Sequence, residues 1–276
     1  PDVRIVSGWA FANCYSLTSV TYSSPRTLTE EYAFRNCINL KKVITADGKE
    51  YRLTGIWDRN NEALPKAVKQ IFLDCLNCFK TDENNLLIEC TGNIPNLILA
   101  EGIIGIGDEV FKDSNLLTHI TLSKSTATIG KSAFELCKWL ESVKNSHHVR
   151  KIEKLAFSGC YMLESIELSD MLEYIGIRAF EHCTSLKRIT IPQGITEIPE
   201  RAFFRCKSLE KVVLPSTIKK IGKEAFAFCS ELKEINFPEG IDTVEEMAFA
   251  WCEKLSEAKN LKGTVNADLN NLGDKL

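Results

Sequence analysis

The chain of 276 residues contains no apolar run of 18 or more, so no segment reads as a membrane-spanning helix. It also lacks any block of like charge. Its 34 Lys and Arg oppose 37 Asp and Glu, a net charge of −3. That balance offers no basic footprint for nucleic acid or an anionic membrane. Histidine is scarce. His147 and His148 are adjacent and would point to opposite sides of a strand, which is poor geometry for a shared metal. His119 and His182 stand alone in the sequence. No phosphate-binding loop, G-x-S-x-G, H-E-x-x-H or dinucleotide fingerprint occurs, and no N-x-[ST] glycosylation acceptor. These absences argue against an enzyme and against a resident cofactor or metal. No secretory signal is visible, and Val3 already falls within repeated sequence without a cap before it. We therefore expect a processed or trimmed piece of a longer chain.

What is present is a rhythm. Phe111, Phe134, Phe157, Phe180, Phe203, Phe226 and Phe249 return every 23 residues, and Phe11 and Phe34 share the spacing. With Phe as position zero, position −1 is Ala in eight of nine units, +3 is Cys in eight, and +6 is always Leu. Position −5 is usually apolar, as in Ile129, Ile152 and Ile175, and +9 is Val or Ile in all but the last unit. Proline closes three units at +12, at Pro192, Pro215 and Pro238. Counting back from Phe111 suggests one more, degenerate unit with Ile88 at position zero and Thr91, Ile94, Leu97 and Leu99 following.

A fixed period of this length means stacked copies of one unit, because a single copy cannot bury its own apolar face. Phe, Cys and Leu at intervals of three predict a tight 3₁₀-like or single helical turn. The alternation from +9 to +11 predicts a short strand, which Pro at +12 ends. The predicted fold is an α/β repeat solenoid, with one short parallel strand and one helical turn per coil.

These units resemble the BspA-like class of leucine-rich repeats, over residues of about 1–45 and 86–260. The resemblance implies a solenoid with a parallel sheet on one face. It also implies a surface-exposed or secreted protein of the kind found in bacteria and some parasitic protists and associated with adhesion.

The expected organisation is leucine-rich repeats over 1–45, an irregular insertion over 46–85, repeats again over 86–260, and a C-terminal cap or tail over 261–276. In the insertion, Leu64, Ala67, Val68, Ile71, Phe72, Cys75, Leu76 and Phe79 recur at helical spacing, predicting an amphipathic helix of about 18 residues. Irregular insertions in regular scaffolds often carry recognition, yet this one could equally fill an irregular coil.

Eleven cysteines would ordinarily suggest disulfides in a secreted protein. Equivalent cysteines in neighbouring coils point the same way, which leaves Cβ atoms about 5 Å apart, too far for a bridge. A buried column of free thiols is the expected outcome. Cys75-Leu-Asn-Cys78, with Cys90 beyond, is a C-x-x-C pair without the further ligands that a structural zinc needs. It leaves an outside alternative of metal or redox chemistry in the insertion.

Outward strand positions are +8 and +10. They read as mixed polar columns, with Lys144, Arg188, Lys211 and Glu234 the charged residues able to meet a partner. Trp57 is the preferred aromatic anchor, because binding hot spots favour Trp, Tyr and Arg. The expected function is a non-enzymatic cell-surface or secreted adhesion scaffold that contacts a protein or glycan, in monomeric form. The alternative is a structural spacer that presents another module.

Overall fold

The computed structural model describes residues 3–14, 16–35, 37, 40, 42–52, 68, 70–71, 79–90, 95–99 and 102–255. Each regular coil contributes two short strands, where the spacing predicted one. One precedes the Phe, as in Thr128–Ile129, and one follows it, as in Ser142–Lys144. Both pair in parallel with the equivalent strand of the next coil, at a register of one period: Ile129 with Ile152, and Val143 with Ile166. β-Branched side chains at −5 and +9 favour this pleated, half-buried surface. They point inward, while their neighbours face water.

The helical turn predicted around each Phe is absent. Backbone φ is positive at −2 and again at +2 in coil after coil: Ser132 and Leu136, Arg178 and His182, Arg201 and Arg205, Glu224 and Phe228. A left-handed residue every fourth position cannot continue a helix. It divides the N–H groups into two sets instead. Those at −1, +1 and +3 close tight turns, as Ala133 to Gly130 O, Glu135 to Ser132 O and Cys137 to Phe134 O. Those at −2, 0 and +2 donate to the next coil: Ser132 to Lys154 O, Phe134 to Ala156 O and Leu136 to Ser158 O, at 2.7–2.9 Å. The turn edge is therefore a third ladder, besides the two strand ladders. Each non-glycine left-handed residue costs about 1–2 kcal/mol, and the inter-coil bonds offset that cost.

The core lies inside the three ladders. The rings of Phe111, Phe134, Phe157, Phe180, Phe203, Phe226 and Phe249 stack with centroids 5.1–5.4 Å apart. Alanine at −1, Cys at +3 and Leu at +6 fill the space around this column and are fully or nearly fully buried. The nine described cysteines are free. Each core thiol donates to the Phe carbonyl of the preceding coil, as Cys183 Sγ to Phe157 O and Cys206 Sγ to Phe180 O, both at 3.2 Å. The small, apolar, weakly donating thiol thus suits the site better than a spacer role alone would require.

Two departures from the rhythm are visible. First, Ile88 does not take the Phe position. The strand Leu86–Cys90 pairs in parallel with Gly105–Ile106, placing Leu87 opposite Ile106. It also pairs antiparallel with Phe79–Thr81. Leu97 pairs with Ile120, so only ten residues separate Leu87 from Leu97, where Ile106 and Ile120 are 14 apart. With four residues fewer between its strands than the next coil, the unit leaves Ile88 41% exposed. The helix expected in the insertion falls outside the described residues except for Val68, Gln70 and Ile71, which have helical backbone, and Phe79, which lies in a strand paired with Cys90 and not in a helix. Val68 and Ile71 are buried with Phe34, Cys37, Leu40 and Val43.

Second, both strand ladders stop at one chain step. Ser165–Ile166 ends one sheet, and Arg188–Thr190 begins another. Tyr174–Ile175 and Glu197–Ile198 likewise belong to separate sheets. The sequence reason sits at +12. Ser123, Ser146 and Ser169 are buried there and donate to the carbonyls of Ile103, Glu167 and His147. From Pro192 onward the position is proline, which has no donor. Pro199 also removes the N–H that Gly176 and Gly222 donate to Ile152 O and Ile198 O. Only the turn ladder runs unbroken across this seam, through Phe157 to Ala179 O and Phe180 to Ala202 O.

Candidate interaction surfaces

On the strand face, the expected residues form two groups, not one site. Arg188, Lys211 and Glu234 stand in register on adjacent strands. Lys211 Nζ lies 2.6 Å from Glu234 Oε2, and this lysine holds the Glu234 carboxyl below its ordinary range. Lys144 lies on the other side of the seam, in the sheet that pairs it with Thr121. Trp57 falls outside the described residues, as do Cys75 and Cys78, while Cys90 is half-buried.

Most charges on these faces neutralise one another across coils. Glu164 and Lys187 are 3.1 Å apart, Arg150 and Glu173 2.7 Å, and Lys220 lies 3.0 Å from Glu197 and 2.9 Å from Glu245. Exposed pairs of this kind contribute only about 0–1 kcal/mol each, and they leave little net field for a partner. Arg188 has no such partner among the described residues. It borders a shallow cleft of about 450 Å³ at the seam, lined also by His147, Glu167, Asp170, Thr190 and Pro192.

The turn edge is different. Its left-handed residues at +2 project outward, and in successive coils they are His182, Arg205, Phe228 and Trp251. Phe228 and Trp251 stack face to face at 4.3 Å. Phe204 meets Phe228 edge-on at 5.4 Å and His182 at 6.0 Å. The Arg205 guanidinium lies over both Phe204 and Phe228, 5.3 and 5.1 Å from the ring centroids. Arg201 lies over Phe204 at 5.0 Å and is paired with Glu224 at 2.8 Å. Ala227 and Ala250 back the band with a small satellite core. Burial lowers the His182 pKa, opposed by the charge of Glu181 and supported by those of Arg205 and Lys207.

A similar group occurs at Trp9, Tyr32 and Arg35, where the guanidinium lies 5.2 and 5.6 Å from the two rings. Farther along, Leu116, Trp139 and Met162, all at +5 of consecutive coils, form an exposed apolar stripe. Sequence reading did not group these residues into bands, although the signal was there as aromatics at −2, +1 and +2 and large apolar residues at +5, which recur every 23 residues and so stack on one edge.

A family model described as the BspA type leucine rich repeat region matches residues 1–56, 81–209 and 150–269. The chain belongs to the BspA-type leucine-rich repeat family. Among solved structures, this BspA-type chain is similar to a leucine rich cell surface protein of Faecalibacterium prausnitzii. That match has 28% identity and a TM-score of 0.57, and covers 64% of this chain and 51% of the other. This chain thus spans about half the length of that relative. It is also similar in fold to the T. pallidum leucine rich repeat protein, with 23% identity and a TM-score of 0.60, covering 72% of this chain and 95% of that one. No curated protein matches. Among the described residues, no helix is long and apolar enough to cross a membrane.

Proposed function

We propose that the chain is a non-enzymatic binding scaffold, displayed at a cell surface or outside the cell, that adheres to a protein or glycan through its outward turn edge. The observation that carries this reading is the band of His182, Phe204, Arg205, Phe228 and Trp251. It concentrates the residue types of binding hot spots on one rigid edge, where the strand faces neutralise themselves. The family and the cell-surface relative from F. prausnitzii support the location. Each coil is fixed by three ladders, so the outward residues are held in place before a partner arrives, which lowers the ordering cost of binding.

The test is a binding screen of the purified chain against immobilised matrix proteins and glycans. We expect at least one saturable interaction, weakened by Trp251→Ala. A purely structural spacer, the reading favoured by the self-paired charges, would bind none of them.

A further inference from the structure

The turn edge also indicates what kind of partner it takes. Arg201 and Arg205 share the ring of Phe204, but their charges are treated differently. Arg201 is satisfied by Glu224. Arg205 is exposed, held between two aromatic rings, and pairs with no carboxylate among the described residues. Its backbone is fixed too, with its N–H bonded to Ala227 O at 2.8 Å. A guanidinium stacked on aromatic faces keeps its planar fork of donors free and pre-oriented for a carboxylate. Lys207 adds a second exposed cation two residues on. Directly beside Arg205, Phe228 and Trp251 form a flat apolar shelf, with Trp251 39% exposed.

The charges decide between anionic partners. A polyanionic chain needs an extended run of cations to neutralise it, but the chain carries a net −3 and the nearby cations Arg201 and Lys223 are already paired with Glu224 and Glu246. One fixed guanidinium, one neighbouring ammonium and an apolar shelf match a single carboxylate next to an apolar group. Building on the scaffold reading, we propose that Arg205, Lys207, Phe228 and Trp251 dock a protein segment presenting one Asp or Glu beside an aromatic or branched aliphatic side chain.

The test uses the full chain as bait for a displayed random-peptide library, followed by affinity measurements with the selected synthetic peptides. We expect enrichment of an acidic residue next to an aromatic or aliphatic one. Arg205→Ala and Trp251→Ala should each weaken binding by about tenfold or more, and Arg205→Lys should fail to restore it, since an ammonium keeps the charge but not the stacked fork. Replacing the peptide's Asp by Asn, which leaves the protein untouched, should cost a similar factor. Lys211→Ala, on the strand face, should change nothing. The proposal is overturned if no peptide is enriched over bare support, if the selected peptides lack an acidic residue, or if their binding survives both Arg205→Ala and Trp251→Ala. It is overturned equally if heparin binds more tightly than the peptides and loses affinity in Arg205→Ala. Selected peptides that lack an acidic residue but lose binding in Trp251→Ala would leave the turn-edge scaffold reading standing and remove only this assignment of its partner, whereas binding that survives both variants would remove the turn edge as the site as well.

Discussion

The buried thiol column makes stability depend on alkaline pH. Burial raises the Cys137 pKa to about 12, and it pushes Cys160, Cys183, Cys206 and Cys229 far above the ordinary thiol range. In the unfolded chain these thiols ionise near pH 8.5. The folded state therefore keeps protons that the unfolded state releases. The sign follows: the thiols exert no pH effect below their unfolded pKa, and stability falls as pH rises beyond it. Between pH 8 and 9.5 each thiol costs about 1 kcal/mol, so five cost about 5 kcal/mol, a large part of a typical domain's stability. Staying below pH 10 keeps Lys112, Lys220 and Lys223 out of the titration, since their ion pairs raise their pKa values further. The assay is urea unfolding at several pH values in this window, with a phosphine reductant present. We expect a steep fall in the midpoint, with about five protons released on unfolding at pH 9.5 and above. Cys183→Ser with Cys206→Ser should remove roughly two-fifths of the slope, because a hydroxyl still reaches Phe157 O and Phe180 O but does not ionise. A midpoint unchanged between pH 8 and 9.5, or a slope indifferent to these substitutions, would refute the reasoning.

Three further outcomes are expected. Phe180→Ala removes a fully buried ring that stacks on two neighbours at 5.3 Å and should cost about 4–5 kcal/mol in chemical unfolding, whereas Phe11→Ala, at a ring 43% exposed with a single neighbour in its column, should cost about 1. Gly159→Ala, at φ 73° with Leu136 Cδ2 only 2.7 Å from the new Cβ, should lower stability by about 1–2 kcal/mol, while Asp113→Gly at an exposed left-handed position should be neutral or mildly stabilising; equal thermal shifts would contradict this. Hydrogen exchange should find the Thr196 amide at least about tenfold faster than those of Glu173 and Lys219, because these two donate to the preceding coil and Thr196 does not.

The period, the core columns and the strand that follows each Phe were legible because each inward position accepts only one kind of side chain, while the strand before the Phe, only two residues long, was too short to show an alternation. Phe at zero, Cys at +3 and Leu at +6 repeat because the space around them is the same in every coil. The turn conformation was not legible. Its left-handed positions are occupied by Gly, Asn and Asp in only three coils and elsewhere by Ser, Leu, Tyr, Arg, His, Glu, Phe, Met and Trp, residues with no shared preference for that backbone. The inter-coil hydrogen bonds impose the conformation, and single-sequence spacing of three cannot distinguish it from a 3₁₀ turn. The unit before Phe111 was misplaced for a related reason. Apolar residues matched the pattern, but strand pairing at Leu87 sets the register, and the coil is four residues short. The seam had a sequence sign that was visible but unread, the change from Ser to Pro at +12 together with Pro199.

The same arithmetic limits where specificity can sit. Inward positions are occupied by the core, and outward charges one period apart mostly find each other, since adjacent coils bring residues 23 apart side by side. A charge remains available where the next coil offers no complement. Arg188 meets that condition at the seam, where the strand ladder is interrupted. Arg205 meets it on the turn edge, where the following coil presents Phe228 in place of a carboxylate. Substituting Arg205 removes no core volume and breaks no ladder bond, because its part in the ladder is played by its backbone N–H. Recognition and stability should therefore separate cleanly at this residue. Arg205→Ala is expected to leave the unfolding midpoint within about 0.5 kcal/mol of the parent, apart from the modest loss of its ring contacts, while changing what the edge binds.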